Sequence, residues 1–110
     1  MENKSKAETF IGFCVRARKC KIGMNASCTL KKAQLMIVCH TASENTVKEA
    51  KKLAVKLHCE LLKTKGKTLE EMTHKQNAKV MAITDQALSK AILDNSENDF
   101  IVTNEENRNG

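Results

Sequence analysis

The chain has 110 residues, 41% hydrophobic and 29% charged, and its 19 Lys+Arg against 13 Asp+Glu give a formal net charge of +6. That is one small domain, able to bury roughly 65% of the surface its unfolded chain exposes and too short for a second catalytic domain. The longest uncharged apolar-rich run, residues 33–43, falls far below the ~20 residues of a membrane helix. No apolar signal-peptide core follows Lys4 and Lys6, and the five cysteines are odd in number and irregularly spaced. Cytoplasmic residence with reduced thiols is therefore expected.

Helix and strand signals alternate along the chain. From Lys4 to about Ala17, the residues Ala7, Phe10, Ile11, Cys14 and Val15 recur at three- and four-residue steps, the period of an amphipathic helix. Lys21-Ile22 reads as a short edge strand, Gly23 interrupts, and Asn25 is placed to cap a helix reaching about Lys32. Leu35 to Cys39 is a continuous apolar run, the pattern of a strand buried on both faces. Ser43 or a neighbour caps the clearest helix, whose face is Val47, Ala50, Leu53, Ala54 and Leu57.

Leu61-Leu62 marks the next strand, residues 63–67 a loop and Leu69 to about His74 a short helix. Val80 to Ile83 is another buried strand, and Thr84-Asp85 caps a helix over Ala87 to Leu93. Strands separated by helices imply a three-layer α/β/α sandwich with a mixed or mostly parallel central sheet. The domain is expected to span residues 1–94. Residues 95–110 read as an acidic, mobile tail in which Phe100 docks loosely at most.

The tail holds four acids and one base, so the first 94 residues carry a formal +9. From Thr9 through Ser43 there is no Asp or Glu, while Arg16, Arg18, Lys19, Lys21, Lys31 and Lys32 all fall there. A solvated helix face ordinarily mixes signs; a single-sign stretch of 35 residues raises the local potential and attracts a polyanion such as a nucleic-acid backbone. Gly23 allows close backbone approach, and Asn25 offers an amide to a base edge or sugar.

Other chemistry finds less support. Four scattered glycines form no phosphate-cradling loop, and three Phe without Tyr or Trp make no base-stacking platform. There is no CxxC, and Cys39-His40 and His58-Cys59 are expected at opposite sheet edges, roughly 15–20 Å apart. No metal, cofactor or catalytic constellation is predicted. Cys14, Cys28 and Cys39 read as core fillers, and Cys20, between Lys19 and Lys21, as the thiol whose surroundings favour a thiolate.

Three blocks, FIGFCVRARKCKIG at 10–23, LMIVC leading into TASENT at 41–46, and AKVMAITDQALSKAIL at 78–93, together resemble the L-seven-Ae / L-thirty-e family of ribosomal proteins, most closely its small bacterial paralogues. The resemblance implies an α/β/α sandwich that binds kink-turns, sharply bent RNA elements with tandem sheared G·A pairs. It implies that Gly23 and Asn25 match the Gly-x-Asn-Glu element that enters the RNA groove. Ala26 stands at that element's acidic position and Thr29 at its lysine position. The resemblance further places Met72 against an extruded nucleotide. The expectation is a non-enzymatic, monomeric protein binding structured RNA, ribosomal or regulatory, with ribonucleoprotein components as further partners. The alternative is a protein-interaction module on the same fold.

Overall fold

The structure is a computed structural model and describes residues 5–97 and 99–102. Five helices and five strands follow in the order α1 (Lys6–Ala17), β1 (Cys20–Ile22), α2 (Met24–Ser27), β2 (Leu35–Val38), α3 (Glu44–Lys56), β3 (Glu60–Thr64), α4 (Leu69–Thr73), β4 (Val80–Ile83), α5 (Gln86–Asp94) and β5 (Phe100–Val102). The strands form one sheet in the order β1-β4-β2-β3-β5. Only β2 and β3 pair in parallel; the β1–β4, β4–β2 and β3–β5 pairs are antiparallel. The sheet is thus of the mixed kind.

Period-two alternation divides the core into two layers. Leu35, Ile37, Leu62, Met81 and Ile83 meet Ile11, Cys14, Met72 and Ile92 of α1, α4 and α5 on one face. Met36, Val38, Leu61, Val80 and Ala82 meet Ala50, Leu53, Ala54 and Leu57 of α3 on the other, with Met24 beside them. This is the sandwich that continuous apolar runs at β2 and β4 require, since each such strand is covered on both sides.

Helix starts are capped as their side chains allow. Ser5, Ser43, Thr68 and Asp85 each accept from a backbone N–H of the first turn, and Thr68 with Glu71 completes a capping box. Helices α1 and α3 end on residues in the left-handed region, Arg18 at φ 57 and His58 at φ 58. There the N–H groups of Lys19 and Cys59 reach back to the carbonyls of Cys14 and Ala54, at 2.9 and 3.0 Å.

Two expectations change. Helix α2 is four residues long and starts from Gly23, whose φ of 102 and ψ of 150 no side-chain residue adopts readily; Asn25 lies inside the helix instead of capping it. It stops early because the Thr29 hydroxyl and N–H both turn onto the Ala26 carbonyl, at 2.6 and 3.2 Å. Phe100–Val102, expected in the tail, is instead an edge strand with Phe100 buried against the core, so the folded domain runs past residue 94. Residues 103–110 of that expected tail lie outside the described residues.

Candidate nucleic-acid interface

The sheet has two ends, and the cations of the acid-free stretch gather toward one of them. At one end, the Gly23 N–H donates to the Val80 carbonyl at 2.7 Å and the Cys39 N–H to the Lys79 carbonyl at 2.7 Å. This brings the start of α2 beside the loop 74–79 that precedes β4. At the other end, Thr84 donates to the Lys19 carbonyl from its N–H at 2.9 Å and its hydroxyl at 3.0 Å, while the Gln34 N–H reaches Ile83 at 2.8 Å. Arg18-Lys19 therefore approach Thr84 from one side and the Lys31-Lys32 segment from the other. The register Cys20↔Ile83 and Leu35↔Ile83 confirms that β1 and β2 both begin at this Thr84 end.

Lys21 lies between the two ends. It stands opposite Ala82, whose side chain belongs to the α3 layer, so Lys21 projects on that same face. Cys20 and Ile22 pack toward the other layer. Arg16, in the last turn of α1, holds its guanidinium 5.1 Å from the Phe13 ring centroid, a cation–π contact at the surface. All six cations are exposed, as is Asn25. The structure thus keeps Gly23 and Asn25 together at one end, and sets Arg16, Arg18, Lys19, Lys31 and Lys32 toward the other.

Met72 does not belong to the surface. It is 2% exposed and lies in the core with Ile11, Leu69 and Met81, because an apolar residue on the inner face of a five-residue helix has only the core to pack against. The loop beside Gly23 instead exposes His74, Lys75, Gln76 and Asn77, with His74 and Asn77 left-handed at φ 60 and 58. With Glu70 and Glu71 they line a concavity of about 390 Å³. The Glu71 carboxyl is held below its ordinary pKa by the Thr68 backbone N–H and hydroxyl, and Glu70 pairs with Lys79 at 3.0 Å.

A second concavity, about 420 Å³, lies between α2 and α3 and is lined by Met24, Asn25, Cys28, Glu49, Lys52, Leu53 and Lys56. Glu49, Lys52, Leu53 and Lys56 are spaced i, i+3, i+4 and i+7 and so share one helix face. That face is legible in the sequence. That α2 packs beside it is not, which is why Lys52 and Lys56 escape a reading of linear charge.

The cysteines also depart from expectation. Cys28 is exposed, not a core filler, because α2 ends before it. Burial pushes the Cys20 thiol up, outweighing the opposite pull of Lys21 and Lys75. Cys39, fully buried, is the thiol lowered: burial acts to raise it, but hydrogen bonds with Thr41, the Leu69 N–H and Thr64 prevail. Cys39-His40 and His58-Cys59 lie at opposite ends of the β2–β3 pair. Among the described residues, no three His, Cys, Asp or Glu side chains group as metal ligands, and no helix is long and apolar enough to cross a membrane.

No family model matches the chain, and no curated protein matches it. A solved structure described as a protein with unknown function from Bacillus halodurans C superposes with a TM-score of 0.70 at 18% identity, covering 83% of this chain and 96% of that one. The likeness is one of fold.

Proposed function

We propose that this chain is a non-enzymatic RNA-binding protein that recognises a folded, kink-turn-like RNA of ribosomal or ribosome-associated origin. One observation carries the reading: the six cations of the acid-free stretch are all exposed, and none makes an ion pair with a carboxylate among the described residues. Charges already paired at the surface give a polyanion little; six unpaired ones release counterions when they meet phosphates. The position of Gly23 adds the second part. Its backbone is open, with nothing within 4 Å of where a Cβ would stand, so a groove edge can approach the α2 start and meet the Asn25 amide. The resemblance of the three sequence blocks to kink-turn binders names the class of bend.

In this mechanism the lysines and arginines neutralise phosphates and hold the register, while Asn25 reads a base edge or sugar. With about four phosphates neutralised, log K falls against log salt with a slope of roughly −3 to −4. Flat salt dependence refutes the mechanism. Asn25→Ala weakens binding to a kink-turn more than to a plain duplex, and equal losses on both refute specific readout.

A second reading, a protein-interaction module on the same fold, is favoured by Phe13, which is 43% exposed with Arg16 stacked on it, an aromatic–Arg pair of the kind that anchors interfaces. Ala26 and Thr29, where the resembled element has an acid and a lysine, suit it too. Protection of residues 16–32 by a protein from nuclease-treated extract, and not by RNA, selects this reading.

A further inference from the structure

The Gly23 end and the cationic Thr84 end of the sheet are joined by the α2/α3 cleft. Strand β1 ends at Gly23; α2 then starts at that end, and the chain returns to the Thr84 end by Gln34. Helix α3 runs alongside in the same sense. It leaves the end of β2 at Glu44 and finishes at Lys56, before β3 starts at Glu60 opposite Leu35. Asn25 therefore lies toward the Gly23 end of the cleft, Lys52 and Lys56 follow along it one helical turn apart, and Lys31-Lys32 lie beyond it at the Thr84 end.

Lys52 and Lys56 are exposed and make no ion pair among the described residues. Among the described residues, Glu49 is the single carboxylate lining the cleft, one turn before Lys52 and Leu53. Met24 and Leu53 supply apolar lining between the charges. The volume, about 420 Å³, is that of a small-ligand cleft. A duplex does not enter a space of this size. One unpaired strand does, laying phosphates on the lysines and a base against the Met24 side chain by apolar contact.

We infer that this cleft takes a single-stranded segment flanking the folded RNA element, running from Asn25 past Lys52 and Lys56 to Lys31-Lys32. The inference rests on the RNA-binding reading above and deepens it: the preferred ligand is a bent element with an unpaired tail, not a closed hairpin.

The test uses the full chain and two RNAs, a kink-turn hairpin alone and the same hairpin with a single-stranded uridine extension of about eight nucleotides, placed in turn on each end. Wild-type protein is expected to bind one extended RNA roughly tenfold more tightly than the closed hairpin. Lys52→Glu with Lys56→Glu is expected to abolish that advantage, leave closed-hairpin affinity within about twofold, and make the salt slope for the extended RNA shallower by roughly 1.4, the single-strand coefficient for two phosphates. Lys52→Gln with Lys56→Gln, which removes charge without adding repulsion, should lose a smaller part of the same advantage. Far-UV circular dichroism checks that both variants fold.

Equal wild-type affinity for closed and extended hairpins overturns the inference while leaving the RNA-binding reading intact. So does an equal loss on both RNAs in the Lys52/Lys56 variants, which assigns these lysines to the hairpin itself. Salt-independent or absent wild-type binding to every RNA overturns both readings.

Discussion

Two glycine-to-alanine substitutions in this chain should shift stability in opposite directions. Gly12 is inside α1, and a Cβ built there meets its nearest atom, Arg16 Nη1, at 3.5 Å, an ordinary contact. Gly12→Ala therefore removes the helix-interior glycine cost and should stabilise by about 0.5–1 kcal/mol. A Cβ on Gly23 meets nothing within 4 Å, so sterics with the rest of the fold do not oppose it. The opposition is in its own backbone, at φ 102 and ψ 150. Holding a side-chain residue there costs roughly 1–3 kcal/mol, and the smaller unfolded-state entropy of alanine offsets about 0.4–1 kcal/mol of it. Gly23→Ala should destabilise by about 1–2 kcal/mol. If the backbone relaxes instead, the 2.7 Å bond from Gly23 N–H to Val80 is lost, at a cost of similar size. Urea unfolding followed by circular dichroism measures both, with an unchanged m-value expected; in thermal melts each kcal/mol corresponds to roughly 4–8 °C. The same Gly23 variant should bind the kink-turn more weakly, because the α2 start moves with it. A Gly23→Ala midpoint within about 0.3 kcal/mol of wild type would refute the assignment of strain, and with it the argument that this corner is built around a glycine.

Other perturbations separate stability from binding. Arg18 occupies the left-handed C-cap of α1, so Arg18→Gly should stabilise by about 0.5–1 kcal/mol while weakening RNA binding and making the salt slope shallower by roughly 0.9; Arg18→Ala should weaken binding without the stability gain. Burial lifts the Cys14 thiol from 9.0 to about 12 and the Cys59 thiol to about 11. Thiols raised in the folded state keep their stabilising effect below pH 9 and lose it as pH climbs through the folded values. Stability should therefore fall progressively above pH 9, and Cys14→Ala should flatten most of that fall in alkaline denaturation curves. Alkylation under native conditions should label exposed Cys28 before buried Cys14, as mass spectrometry of digests would show. Lys67 pairs at 2.9 Å with the 6%-exposed Glu8; Lys67→Met leaves that carboxylate short of its partner and should cost about 1–3 kcal/mol in urea unfolding, more than Glu8→Gln.

What could be read from the sequence follows from how local each signal is. The apolar runs at β2 and β4 announce strands covered twice, because Leu35 and Ile37 face one helical layer while Met36 and Val38 face the other. Strand direction is less visible. Helix α4 has five residues, about 7.5 Å at 1.5 Å each, too short to carry the chain back along the sheet. Strand β4 therefore starts at the end where β3 finishes and runs antiparallel to β2. The three-residue β5 is defined by pairing with β3 almost forty residues earlier; Phe100-Ile101-Val102 is the apolar run that marks it inside an Asn- and Glu-rich segment, and three residues are too short a run to announce a strand. Met72 shows the same limit at the site. Its place in a short helix was legible, but the direction of its side chain was decided by the core.

On the proposed RNA-binding reading, the gathering of the cations at one end of the sheet and of Gly23 and Asn25 at the other separates affinity from choice. Contacts to phosphate set affinity and register, while contacts to bases set choice. If the chain binds RNA as proposed, the first kind falls to the cations toward Thr84, Arg18, Lys19, Lys31 and Lys32, and the second kind to Asn25 and the exposed loop 74–77 toward Gly23. Substitutions at the two ends should then fail differently. Lys31→Glu with Lys32→Glu should weaken every structured RNA alike and make the salt slope shallower, because what it removes is charge. Asn25→Ala should leave that slope unchanged and narrow the gap between kink-turn and duplex, because what it removes is a shaped hydrogen-bonding group. If both variants changed slope and selectivity together, the two ends would be acting as one surface, and the separation along β1, β4 and β2 would carry no functional meaning.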